Sequence, residues 1–505
     1  MNGPDGRMKH YKDLVALAHS KGLKVIQDVV MNHAGPVFYY DANGSKGFDR
    51  ESEAEWIQPY KRDGFHDNAA WADIPEWNLH RTAPEGPVEL LSVKIPTTGI
   101  LSKLETYSRK GFSGSSLGAS DGEEVTCDFF SLRDLWTAPG SEHFDALVDE
   151  FVEIYAFYLT TIGVDGLRID TVKHVHREFW DAFTERLRKK LGDQAKDKLL
   201  FGEVYDDQHP DVLGSYTWRT DWETRKEPSL DSVLDFTFCA AAREYLRADG
   251  GNYGSSRKLE AVIRSKTEKG ANGRPFYNPT PGPDGLNSIQ KSITFLENHD
   301  GLNRFRVAGV TERRNALAQG LVMTMAGIPC LYYGTELGLT DEKGRIGQDG
   351  ETGRLSLDLS GAVKGGPLRK SESFVSVARL TKARSLIPVL RTGATVPLWS
   401  DSPDGADDDG VFAFARVGSQ PGDFAIVVVN ASDAERVTGA GDFSMLLVDA
   451  EGKPLAAEGS QLRRLVAVGP VDTAPVTTTL GSTNGKASAK LRVPAQSLVI
   501  YLPTK

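Results

Sequence analysis

The sequence predicts an α/β chain: a parallel sheet wrapped by helices, interrupted by one long insertion and followed by an antiparallel β-sandwich. Three observations carry this. Short β-branched runs alternate with amphipathic helical patterns up to about residue 385, the grammar of βα units. Residues 34–137 break that alternation. From about residue 393 onward the pattern is all-β, with Gly, Asp and Pro turns between apolar runs.

The elements follow in order. Tyr11, Leu14, Val15 and Ala18 obey the i, i+3, i+4, i+7 rule of a helix that Gly22 stops. LKVIQDVV (Leu23 to Val30) reads as a buried strand. Phe144, Leu147, Val148, Phe151, Tyr155, Tyr158 and Leu159 share one helical face, and VDGLRID (Val164 to Asp170) follows as a strand. Phe179, Trp180, Phe183 and Leu187 mark a helix before the strand KLLFGEV (Lys198 to Val204). SVLDFTF (Ser232 to Phe238), SITFLEN (Ser292 to Asn298) and IPCLYYG (Ile328 to Gly334) read as further strands, with helices over Arg313 to Met325 and about Ser373 to Ser385. VFAFARV, FAIVVVN, FSMLLVDA, LRRLVAVG and SLVIYLP read as the sandwich strands. SDSPDGADDDG (Ser400 to Gly410) reads as a solvated acidic loop. Residues 34–137 are too long for a structureless loop and read as a small domain inserted between a strand and its helix.

Composition narrows the class. In 505 residues, 59 Lys and Arg against 69 Asp and Glu leave a net charge of −10, whereas a nucleic-acid groove needs a basic face. Forty per cent hydrophobic residues exclude a largely disordered chain. No apolar stretch approaches the ~18–20 residues of a membrane helix, so neither nucleic acid nor membrane is expected as a partner. Cys127, Cys239 and Cys330 are odd in number and far apart, which excludes a disulfide framework or a zinc spacing.

Polar residues gather at the C-terminal ends of the candidate strands, the rim where catalysis sits in a parallel barrel. DVVMNH (Asp28 to His33) ends one strand, Glu203 ends another, and Asn298, His299 and Asp300 end a third. Arg168 and Asp170, two apart on a strand, point to the same face. Each residue alone has a bland reading: a helix cap for Asp170, a structural ion pair for Arg168, core histidines for His33 and His299. Together they suit glycoside hydrolysis, in which one carboxyl is protonated to assist the leaving oxygen and another is ionised at the anomeric carbon.

DVVMNH, GVDGLRIDTVKH, FGEV and FLENHD, in this order, resemble the four signature segments of the α-amylase family of glycoside hydrolases. SLRDL (Ser131 to Leu135) and AGIPCLYYGTE (Ala326 to Glu336) resemble two further ones. The resemblance implies a (β/α)8-type barrel with retaining chemistry on starch or maltodextrin-type α-1,4-glucans. It makes Asp170 the nucleophile, Glu203 the general acid/base and Asp300 the transition-state stabiliser. Arg168 would fix the nucleophile, His33 and His299 would bind the sugar at the cleavage point, and Lys173 would touch the leaving-group side. It further implies a structural Ca²⁺ held by Asn32, Asp134 and the His174 carbonyl. The layout expected is a barrel over 1–33 and 138–392, an inserted domain over 34–137 and a sandwich over 393–505.

Two departures accompany the resemblance. Trp136 follows SLRDL where the family usually has Asn. The barrel also offers six strands, beginning near 23, 164, 199, 232, 292 and 328, so it reads as N-terminally incomplete. A fragment or misassigned start explains this, and a secretion signal would be lost with it, which leaves the compartment open. Competing readings are an α-glucan transglycosylase or isomerase of the same family, and a non-catalytic carbohydrate-binding protein with an incomplete barrel. Tyr39, Tyr40, Trp56, Trp71 and Trp77 of the insert serve sugar stacking or that domain's own core, and none is assigned a role.

Overall fold

The first helical pattern forms α1 (Gly3–Ser20). Gly22 ends it at φ +74°, with Gly22 N–H donating to the His19 carbonyl and Leu23 N–H to that of Ala18, a Schellman closure. The chain was described from a computed structural model, which covers residues 3–35, 39–40, 77–78, 99–108, 123–129, 132–224, 227–247, 253–300, 304–307, 309–340, 354–357, 359–400, 410–439, 444–472 and 474–504. The side chains of Tyr39, Tyr40, Trp56, Trp71 and Trp77, and residues 401–409 of the acidic loop, lie outside the described residues. The chain divides into two units, Met1–Tyr205 with Tyr216–Val233, and Asp206–Ser215 with Leu234–Lys505.

In the first unit, β1 (Ile26–Val29), β2 (Gly166–Ile169), β3 (Leu199–Gly202) and β4 (Ser232–Val233) form a parallel sheet in that order. Helices α2 (Phe144–Phe157) and α3 (Arg177–Leu191) pack through edge-on contacts of Phe144 and Phe151 with Phe179 and of Tyr155 with Phe183. Gly166 is required by the sheet itself: a Cβ there would stand 2.3 Å from the Leu199 carbonyl oxygen. His33–Ala34 pairs antiparallel with Arg133–Asp134, so the two flanks of the long insertion lie side by side.

In the second unit, α4 (Phe236–Leu246), α5 (Ser256–Ser265), β5 (Ile293–Thr294), α6 (Glu312–Thr324), β6 (Ile328–Pro329) and α7 (Glu372–Leu386) follow in order. β6 pairs parallel with β5, and Leu234 bridges parallel to Ile293. Here one expectation is corrected. SVLDFTF is a strand only at its start, and Phe236 to Phe238 are the first turn of α4. The buried Asp235 carboxylate accepts the N–H of Phe238 at 3.1 Å and so caps a helix that apolar content alone disguised as a strand. IPCLYYG and SITFLEN likewise pair over two residues each.

The all-β region forms β7 (Ala394–Trp399), β8 (Val411–Val417), β9 (Phe424–Asn430), β10 (Gln461–Val468), β11 (Thr477–Thr479) and β12 (Ser497–Pro503). They make one antiparallel sheet ordered β7-β8-β9-β12-β10-β11. Val411, Ala413, Ile426, Val428 and Val499 pack with Leu447, Leu480 and Leu491 around a smaller three-stranded sheet. The opposite face, Phe412, Phe414, Val427, Val429 and Ile500, packs with Leu317, Leu321 and Leu380 of α6 and α7. Burial on both faces explains why FAIVVVN is apolar throughout rather than alternating. Among the described residues no helix is long and apolar enough to cross a membrane.

Candidate active site

The parallel ladder of the first unit continues past its strands and sets the backbone of the site. Asp170 N–H donates to the Val29 carbonyl at 2.9 Å, Glu203 N–H to that of Ile169 at 2.7 Å, and Val172 N–H to that of Glu203 at 3.0 Å. Two chain features permit this closeness. Gly202 sits where a Cβ would meet Leu230 at 2.7 Å and Val172 at 2.8 Å. Thr171 adopts φ +50°, a strained conformation for a β-branched residue, beside Asp170.

Arg168, buried at the end of β2, binds three carboxylates. Its Nη1 donates to Asp170 and to Asp28 Oδ1 (2.9 Å), and its Nη2 lies 2.9 Å from Glu203 Oε2. Burial opposes ionisation of Asp170, but a hydrogen bond from Glu203 and the adjacent Arg168 charge outweigh it. The Asp170 carboxyl therefore titrates below its ordinary value. Asp28, which the sequence does not single out, is brought to the site because it stands directly opposite Arg168 in the β1–β2 register.

His33 stacks parallel on Phe129 with centroids 5.8 Å apart, and its Nδ1 lies 2.9 Å from Asn32 Oδ1. Burial pulls His33 down to about 4, against the opposing pull of Asp170, so the ring is neutral near pH 7. Lys173 is ion-paired with Glu124 at 2.9 Å, and the Glu124 carbonyl lies 3.1 Å from His174 Nδ1. Glu124 belongs to the insertion, where no periodic signal marked it.

Asn32, Asp134 and His174 also come together. The Asn32 amide nitrogen donates to Asp134 Oδ1 at 3.0 Å and to the His174 carbonyl at 2.8 Å. Asp134 is fully buried, and burial pushes its carboxyl well above the usual range. Its Oδ2 makes no hydrogen bond of good geometry, although the Ser108 hydroxyl is close enough to oppose that shift. With the Asn32 amide turned over, three oxygens would face one point, an arrangement stable only around a cation. The donors fit Ca²⁺. Among the described residues no three His, Cys, Asp or Glu side chains converge, so an ion here would rely on amide and carbonyl oxygens. Trp136, the departure after SLRDL, donates its N–H to the Thr106 carbonyl at 2.7 Å and meets His176 edge-on.

The second unit holds His299 and Asp300. Asp300 N–H donates to Asn298 Oδ1 at 3.1 Å, and His299 Nε2 lies 3.5 Å from Asp300 Oδ2. Arg354, which no sequence feature singled out, donates to the His299 carbonyl at 2.8 Å and sits 3.7 Å from Asp300 Oδ1. Tyr333 anchors that segment by donating to the Leu355 carbonyl at 2.6 Å.

The family model of the alpha-amylase catalytic domain matches residues 5–372. The chain belongs to the alpha-amylase family. It is 29% identical over 469 residues to an alpha-amylase of Streptomyces lividans, covering 85% of this chain and 45% of the relative. It is 23% identical over 394 residues to a cyclomaltodextrin glucanotransferase of Bacillus sp. (strain 6.6.3), covering 78% and 42%. The chain thus spans less than half the length of these curated relatives. Among solved structures it resembles the alpha-amylase of Geobacillus thermoleovorans complexed with acarbose, with TM-score 0.60, 18% identity, and coverage of 99% of this chain and 81% of that one. A cyclomaltodextrin glucanotransferase with a three-domain distribution gives TM-score 0.60 at 19% identity, covering 98% and 78%. These alpha-amylase-family likenesses carry the (β/α)8 barrel fold with an antiparallel C-terminal β-domain.

Proposed function

We propose that the chain is a retaining glycoside hydrolase that cleaves α-1,4-glucosidic bonds in starch or maltodextrin-type glucans. The observation that carries this reading is the Arg168 guanidinium bound at once to Asp170 and Glu203. A hydrogen bond from Glu203 and the Arg168 guanidinium hold the Asp170 carboxyl below its ordinary value, against its burial. In this reading Asp170 is the ionised nucleophile and Glu203 carries the proton as the acid. Asp170 then attacks the anomeric carbon while Glu203 protonates the departing oxygen. Glu203, now ionised, takes a proton from water, and the hydroxide equivalent displaces Asp170 from the sugar.

Asp300 is assigned the stabiliser role on the resemblance of FLENHD, and neutral His33 with His299 the binding of sugar hydroxyls. Lys173, steered by Glu124, faces the leaving-group side. The same resemblance supports the layout of barrel, insertion over 34–137 and sandwich from 393. Ca²⁺ held by Asn32, Asp134 and His174 would neutralise buried charge between insertion and barrel, with no step in the reaction. Relatives of both hydrolytic and transferring kinds speak for α-glucan activity, and solved neighbours carry acarbose and maltose. Hydrolysis is preferred because the Lys173–His174 pair resembles that of α-amylases, and transfer is the second reading.

The test is product analysis on soluble starch and maltoheptaose, with NMR of the first anomer released. The α-anomer is expected, with activity lost in Asp170→Ala. Folded protein that cleaves no α-glucan, or an Asp170→Ala variant as active as the parent, sinks the reading. Cyclic or lengthened products exceeding released glucose and maltose would select transfer.

A further inference from the structure

Glu297 is an acid with no part in the chemistry above, yet it is 5% exposed in the second unit. It immediately precedes Asn298, His299 and Asp300, and the structure ties both flanks of that segment together. Arg243 of α4 donates to the Leu296 carbonyl. Arg247, one turn later, donates to the carbonyls of Arg304 at 3.1 Å and Phe305 at 2.9 Å. Glu297 Oε2 accepts the Phe305 N–H at 2.6 Å, and Oε1 lies 4.0 Å from the Arg304 guanidinium. Arg304, fully buried, stacks over Tyr332 at 4.2 Å and Tyr333 at 4.6 Å and donates to the Tyr333 carbonyl at 2.6 Å. A buried carboxylate is costly to keep, and packing alone would be met by an apolar side chain of the same size. The acid instead makes one directed bond, across the segment that presents Asp300.

We propose that Glu297 is a positioning residue for Asp300: its bond to the Phe305 N–H joins the chain three residues past β5 to the returning chain and so sets where the Asp300 carboxylate is presented. The inference rests on the reading of Asp300 as the transition-state carboxylate. A shift of about 1 Å in such a group costs on the order of 10²-fold in rate.

Two substitutions separate positioning from charge balance. Glu297→Gln keeps the reach and the acceptor for Phe305 but removes the charge beside three arginines. Glu297→Asp keeps the charge and shortens the reach. Measured on maltoheptaose, positioning predicts that Glu297→Asp loses about 30–100-fold in kcat with KM within about threefold, while Glu297→Gln stays within about fivefold of the parent. Combined with Asp300→Asn, Glu297→Asp should then cost less than about threefold more, because both act through one group. The opposite order of the two variants, or an undiminished loss in the Asp300→Asn background, overturns the proposal. If Asp300→Asn alone matches the parent, the assignment of Asp300 falls, and the positioning role falls with it.

Discussion

At the scale of single residues the chemistry depends on how one cation is shared. Arg168 serves three acids, and lysine could not replace it, having no planar fork to reach Asp170 and Glu203 together. Arg168→Lys is expected to lower kcat/KM by about 10²-fold or more and to move the acid limb of its pH profile upward, since Asp170 loses the guanidinium hydrogen bond that helps keep it ionised. The sign also governs stability. The folded value of Asp170 lies below its unfolded one near 3.8. Its contribution is therefore complete above the unfolded value and is lost as pH falls through the folded one. Urea melts of the parent and Asp170→Asn between pH 6 and 3 should converge towards the acid end.

At the scale of elements, strand ends hold the functional groups, and small residues decide how close those ends come. Gly202 precedes Glu203 where a methyl group would press on Leu230 and Val172. Gly202→Ala should cost about 1–3 kcal/mol in unfolding free energy and reduce kcat more than it raises KM, because the displaced group is Glu203. Asp235 shows the same logic at a helix start. It caps α4 and pairs with the buried Lys266. Asp235→Ala removes the cap and strands a buried ammonium, with an expected loss of about 3–5 kcal/mol. Chemical denaturation measures both variants, and a loss under about 1 kcal/mol in the second would refute the cap-and-pair account.

At the scale of the whole molecule, buried polar groups tie segments far apart in sequence. Arg416, fully buried on β8, donates to the carbonyls of Thr324 (2.6 Å), Leu390 (3.0 Å) and Gly393 (2.6 Å), which joins the last turn of α6 to the sandwich. In the first unit Asp134 Oδ2 is one of several buried polar atoms that make no hydrogen bond among the described residues. If Ca²⁺ satisfies it, EGTA should lower Tm by several degrees and added Ca²⁺ restore it by mass action, while Asp134→Asn should lose that response. A Tm indifferent to both would remove the ion from the account.

Much of the fold is legible in the sequence. The order of DVVMNH, GVDGLRID, FGEV and FLENHD, the helical stripes of α2 and α3, and the β-rich run after residue 393 are local patterns, and periodicity reports local structure directly. Phe236 to Phe238 misled because three apolar residues suit a strand and a helix start equally, and Asp235 decides between them only by where its carboxylate points. The partners of the functional residues were a different matter. Glu124 beside Lys173 and Arg354 beside Asp300 are brought in by segments with no periodicity of their own, while Asp28 and Glu297 sit in runs that read as strands but whose partners across the chain no local pattern specifies. By itself the sequence determined which acids and bases the molecule owns and in what order they stand along the chain. Only the tertiary structure decided which of them share a cation, because those pairings arise when distant segments are closed onto one another and desolvated together.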